Sequence, residues 1–200
     1  MTNPAIGLLE FDSVATGIVA GDAMVKRAPI GDLVAGSVQP GRYLVLVAGD
    51  VASVEESVAA GLEIGGLSLV AQIVLLDVHP GVVEALRGMR VPGPVESLGV
   101  IETASVAPVL AAADAGLKGA AVDLLEINLA DGLGGKAYLL FGGAVSDVEA
   151  AVEIGSGRVD DSELVGSAVI PQLHDEMGDN LTHHSRFSVR MGREDDDAAR

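Results

Sequence analysis

The chain is written twice, and this limits its fold more than any motif does. Ile6-Gly7-Leu8-Leu9-Glu10 returns 92 positions later as Leu98-Gly99-Val100-Ile101-Glu102, and at the same spacing Ser13-Val14-Ala15 returns as Ser105-Val106-Ala107. Asp22-Ala23, Lys26 and Ala28 return as Asp114-Ala115, Lys118 and Ala120. After a two-residue insertion, Gly49, Val51, Val54, Glu55, Val58 and Gly61 match Gly143, Val145, Val148, Glu149, Val152 and Gly155. Further on, Leu69-Val70, Val74 and His79 match Leu164-Val165, Val169 and His174. Matches in one order with only small slips describe a duplicated domain. Residues 1–90 hold the first copy and 97–177 the second. The linker, 91–96, falls in the stretch Arg87 to Glu96, which carries Gly88, Pro92, Gly93 and Pro94. Residues 178–200 read as a polar C-terminal tail.

Each copy has the same predicted elements. Ala5 to Phe11 is a short apolar strand, and Val14 to Ala28 is a helix capped by Asp12 or Ser13. Asp32 to Val38 and Arg42 to Val47 are β-rich runs joined by Gln39-Pro40-Gly41, a hairpin signal. Gly49-Asp50 opens a second helix with Val51, Val54, Val58 and Leu62 at helical spacing. Leu69 to Leu76 reads as a buried strand, and Pro80 starts a last short helix. The order β-α-β-β-α-β defines an α/β domain of the α+β kind, the ferredoxin-like split βαβ plan. Two such units in tandem make a wedge that could close a ring in threes.

Charge narrows the partners. With 12 Lys plus Arg against 29 Asp plus Glu, the formal charge is −17. Phosphate backbones and anionic membrane surfaces repel such a chain, so no nucleic acid and no membrane is expected as a partner. A hydrophobic fraction of 49% argues against disorder. The absence of Cys excludes disulfides, thiolate nucleophiles and Cys-ligated metals. Aromatics make up only 2%, leaving little material for a stacking platform. The start Met1-Thr2-Asn3-Pro4-Ala5 carries no signal-peptide pattern, and no apolar run reaches the ~18 residues of a membrane helix, so a cytoplasmic protein is expected.

Gly21-Asp22-Ala23-Met24-Val25-Lys26 and Ala113-Asp114-Ala115-Gly116-Leu117-Lys118 resemble the Asp-Ala-x-x-Lys helix of bacterial microcompartment shell proteins. Gly134-Gly135-Lys136, Val145-Ser146-Asp147-Val148 and Val169-Ile170-Pro171 with His174 add to the likeness. The chain therefore resembles a tandem shell protein with two BMC domains, over roughly residues 5 to 177. The resemblance implies a homotrimer shaped as a pseudohexamer, tiling a flat facet beside other microcompartment shell proteins and passing small metabolites through a central pore. It places Val38, Gln39, Pro40, Gly41, Asp131, Gly132, Leu133, Gly134 and Gly135 at that pore. Lys26, Lys118, His79 and His174 fall at the tile edge. The arginine that often accompanies the edge lysine is absent: Asp77 and Gln172 stand there. The element order is similar to the unpermuted iron–sulfur-type tandem proteins of propanediol utilisation, where a Cys precedes the Pro-Gly. Here that residue is Gln39, a poor cluster ligand, so no cofactor is expected.

Other chemistry is weaker. Gly132-Leu133-Gly134-Gly135-Lys136 lacks the spacer and the Ser/Thr of a phosphate loop. His174, Asp175 and Glu176 with His183 and His184 could hold a metal, but a strand-end histidine and a solvated tail explain them more simply. No nucleophile, base and orienting group stand out as a set, so no enzyme is expected. The alternative to a shell tile is a trimeric ferredoxin-like ligand-binding or regulatory protein. If the two hairpins face one axis, Asp131 carboxylates favour neutral or cationic solutes over anions.

Overall fold

A computed structural model describes residues 5–89 and 95–182. The first copy runs β1 (Ala5–Phe11), α1 (Val14–Arg27), β2 (Asp32–Val38), β3 (Arg42–Gly49), α2 (Val51–Gly65), β4 (Leu69–Leu75) and α3 (Pro80–Leu86). The second repeats it with β5 (Ser97–Thr103), α4 (Val106–Gly119), β6 (Asp123–Leu129), β7 (Ala137–Gly143), α5 (Val145–Ser156), β8 (Leu164–Ile170) and α6 (Asp175–Thr182). Each copy forms a four-stranded antiparallel sheet, ordered β2-β3-β1-β4 and β6-β7-β5-β8. This is the expected split βαβ plan.

Ser13 rather than Asp12 caps α1, its side chain accepting the Thr16 N–H. Asp50 caps α2 in the same way through Ser53. Gly7 and Gly99 let helix and sheet close up. A Cβ on Gly7 would lie 2.4 Å from Val58, and one on Gly99 2.6 Å from Val152.

Register explains how the copies join. Alternation along β1 sends Ala5, Leu9 and Phe11 toward α1 and α2, into a core with Met24, Val54 and Val58. Ile6 and Leu8 point the other way and join a core with Val106, Leu110 and Leu117 of α4. The first sheet is thus covered on one face by its own helices and on part of the other by the second copy.

Two boundaries differ from expectation. α6 runs through the expected start of the tail at residue 178, because Leu181 packs against Leu98, Leu140 and Leu173 of the second sheet. β6 also carries a bulge between Leu124 and Glu126, which offsets it by one residue from β2. Residues 90–94 of the linker stretch, with His183, His184 and the rest of the tail, lie outside the described residues.

Candidate functional site

The seam between the copies is built on one buried carboxylate. Glu10, fully buried on β1, accepts from Arg42 Nη1 at 2.6 Å and from the Val106 N–H at 2.9 Å. Val106 is the first residue of α4, whose cap residue Ser105 makes no side-chain capping bond. Glu10 supplies that cap from the other copy, placing negative charge where the helix dipole favours it. Arg42 also reaches the Gly135 carbonyl at 3.4 Å. A second link lies further along the seam, where the His79 backbone N–H donates to Asp114 Oδ1 at 2.8 Å. Asp114 Oδ2 also pairs with Lys118 at 2.7 Å.

The two hairpin loops meet at this seam. The Gln39 N–H donates to Asp131 Oδ1 at 3.3 Å, and the Gly132 N–H donates to Gln39 Oε1 at 3.2 Å. A Cβ on Gly135 would lie 3.0 Å from Pro40 Cδ, and its φ of +91° belongs to the left-handed region that favours glycine. The structure therefore brings Gln39 and Pro40 beside Asp131, Gly132 and Gly135, with Val38 and Gly41 flanking the first turn and Leu133 and Gly134 completing the second. Gln39, at the expected cysteine position, is a brace between the loops.

Backbone donors of the second loop are largely taken, Gly132 N–H by Gln39 and three others within the loop, which leaves no phosphate cradle of free N–H groups. Leu133 N–H and Gly135 N–H point to the Ala130 carbonyl, and Lys136 N–H to that of Leu133. The cations that follow the loops are paired, Arg42 with Glu10 while it also touches the second loop at Gly135, and Lys136 Nζ with Glu102 at 2.8 Å.

The expected edge residues separate. Lys26 and Lys118 are both exposed, each paired with the aspartate one turn before it, Asp22 and Asp114, but Asp22 is exposed whereas Asp114 is buried in the seam. His174 is exposed, its Nδ1 accepting the Glu176 N–H at 3.3 Å. His79 lies in the seam and caps α3, accepting the Gly81 N–H at 3.2 Å. Among the described residues no group of three or more His, Asp or Glu is placed to hold a metal. None of their helices is long and apolar enough to cross a membrane.

Sequence reasoning did not single out Glu10, Arg42 or Asp114 as seam residues. One signal was available: Glu10 and Glu102 put a charge at the same point of an otherwise apolar strand in both copies.

Two ferredoxin-like units fused through such a seam define a class, and comparison with known proteins specifies it. The BMC domain matches residues 5–78 and again 97–173. The chain belongs to the BMC-domain family of bacterial microcompartment shell proteins, and its role is structural. It is 39% identical over 174 residues to the bacterial microcompartment shell protein PduT of Citrobacter freundii, covering 86% of this chain and 95% of that one. A microcompartment protein of Desulfitobacterium hafniense superposes with a TM-score of 0.77 at 41% identity, over 88% of this chain and 98% of the other. The fused permuted hexameric shell protein MSM0275 of the RMM microcompartment shares the fold, with a TM-score of 0.58 at 20% identity over 78% and 83%.

Proposed function

We propose that three copies close head to tail into a pseudohexameric tile with the hairpin loops around a central pore for small metabolites. The observation that carries this reading is an unmatched half of the seam. Val106, Leu110 and Leu117 of α4 are 0%, 0% and 9% exposed, while their α1 counterparts Val14, Ile18 and Val25 are 38%, 53% and 38% exposed. The partner surface for α1 is the second sheet, where Val100 and Glu102 stand for Leu8 and Glu10 and remain partly open. Docking α1 of one copy onto the second sheet of the next repeats the internal seam. Glu102 then caps Val14 as Glu10 caps Val106, and the His174 N–H meets Asp22 as that of His79 meets Asp114. Alternating internal and external seams close after three chains if each turns the wedge by the same angle.

At the loops, Arg42 pairs with Glu10 and Lys136 with Glu102, and we place the three Asp131 carboxylates of the tile as the acidic groups nearest the axis. Such a ring favours neutral or cationic solutes. Lys26, Lys118, His79 and His174 then lie toward the tile margin, where other shell proteins join laterally. Electron microscopy of the purified protein tests the tile: flat sheets or tubes support it, and discrete particles under all assembly conditions contradict it. For the pore, Asp131→Asn should lower the cation-to-anion permeability ratio of assembled shells. An unchanged ratio sinks the electrostatic part.

A further inference from the structure

Beyond α4, the internal seam holds a contact that the two copies write in opposite chemistry. On the outer face of the first sheet, Val34, Gly36 and Leu44 line an open apolar cavity of about 510 Å³, and Leu129 of β6 borders it from the second copy. Strand pairing fixes the counterparts of these residues, counted back along β3 and β7 from Gly49 and Gly143. Val34 and Gly36 lie opposite Leu46 and Leu44, as Glu126 and Asn128 lie opposite Leu140 and Tyr138. Ser37 lies opposite Tyr43, as Leu129 lies opposite Ala137. The second sheet thus carries Glu126, Asn128 and Tyr138 where the first carries Val34, Gly36 and Leu44, and the first carries Ser37 where the second carries Leu129. In the second copy these three form a polar cluster, with Tyr138 Oη and Asn128 Nδ2 donating to Glu126 Oε1 at 3.2 and 3.5 Å.

We propose that Ser37 of one chain seats on Glu126, Asn128 and Tyr138 of the next, its hydroxyl donating into that cluster, and that this pairing selects which half of a neighbour each half accepts. The contact presupposes the head-to-tail tile proposed above and adds what sets its order. Within the chain, α4 lies between the outer face of the first sheet and its own sheet, and Leu129 comes to the cavity with it. Docking α1 in the same way on the outer face of the second sheet brings Ser37, exposed in the single chain, over the counterpart cluster. A leucine there would take a carboxylate and an amide out of water without offering a hydrogen bond, whereas a serine offers one. Ser37 over Val34 and Leu44 would instead lose its hydroxyl's water in an apolar cavity. Size follows the same rule: Tyr138 and Asn128 fill space that Leu44 and Gly36 leave open, and Ser37 is smaller than Leu129. Matched polarity therefore favours copy one against copy two and penalises copy two against copy two, so that specificity comes from the cost of the wrong pairing.

Absence of Cys makes a direct test clean. In the full chain, Ser37→Cys is combined with Asn128→Cys, and in a reference for random encounter with Glu153→Cys, an exposed site in the middle of α5. After mild oxidation at micromolar concentration, the first pair should give covalent two- and three-chain species on a denaturing gel in clear excess over the reference. Light scattering of the same samples separates two failures. Trimers without cross-links above the reference would overturn the Ser37 pairing alone, whereas a monomer at every concentration would overturn the tile and the pairing with it. Without cysteines, Ser37→Leu should raise the concentration needed for half-assembly at least about tenfold. Adding Glu126→Val and Tyr138→Leu, the residues of the first copy, should recover most of that loss. An unchanged midpoint in Ser37→Leu would equally refute the pairing.

Discussion

Helices α1 and α4 descend from one pattern, yet one is half bare and the other buried. Both begin after a serine, carry Asp-Ala-x-x-Lys, and lie on a four-stranded sheet. The difference is what lies on the far side. α4 sits against the outer face of the first sheet, receiving the Glu10 carboxylate at its N-terminus and offering Asp114 to the α3 cap. α1 has no such neighbour among the described residues, where Ser13 supplies its cap. Burial at equivalent positions therefore reports what packs against each helix, not the residue's own preference.

The largest effect expected from this contrast comes from the paired glutamates. Glu10→Ala leaves Arg42 without its carboxylate in a largely buried place and removes the α4 cap, for a loss of about 3 kcal/mol. The same change at Glu102 meets an exposed Lys136 pair and costs under about 1 kcal/mol in the isolated chain. Urea unfolding of the two variants at a concentration too low for association checks this. Equal losses would mean that the seam does not distinguish the copies.

Cores differ by a compensating exchange. Met24 and Val47 fill the first core, while their counterparts are Gly116 and Phe141, and a Cβ on Gly116 would lie 2.4 Å from the Phe141 ring. Gly116→Met alone should cost about 2 kcal/mol from overpacking. Phe141→Val alone should cost about as much from the cavity left behind. The double variant, which recreates the first copy's pair, should be at least about 1 kcal/mol more stable than the sum predicts. Strict additivity in thermal unfolding would show that the exchange is coincidental.

A smaller gain is expected at Gly21, which faces Val45 with room for a Cβ at 3.6 Å and whose counterpart is Ala113. Gly21→Ala should stabilise the chain by roughly 0.5–1 kcal/mol through helix propensity, read as a raised unfolding midpoint. A lowered midpoint would show that the first copy needs the glycine.

The smallest effect concerns acid. Asp50 caps α2, and the Ser53 hydroxyl, then the Ser53 N–H, hold its carboxyl below the usual aspartate range. A carboxylate with a depressed folded pKa contributes stability above its unfolded value and loses it as pH falls through the folded one. The counterpart of Asp50 is Ala144, which has no side-chain cap to lose. Asp50→Ala should therefore lower stability at neutral pH and flatten its decline below about pH 4, read from unfolding midpoints across pH. An unchanged acid decline would place the sensitivity elsewhere.

Much of this was legible in the sequence because each copy corroborates the other. Strand β1 and strand β2 begin and end where the apolar runs and turn residues place them. The seam was not legible. Which face of β1 meets another domain depends on a partner 96 residues away, and local pattern carries no record of it. α6 was missed in part because its eight residues are mostly polar, and Leu181 alone ties its last turn to the sheet.

The central claim is that the internal seam is the template for the contact between chains. Light scattering of the purified wild-type protein at micromolar concentration tests it most directly. The account predicts a single species at three times the 20.2 kDa chain mass. A stable monomer, with α1 left bare, would contradict it.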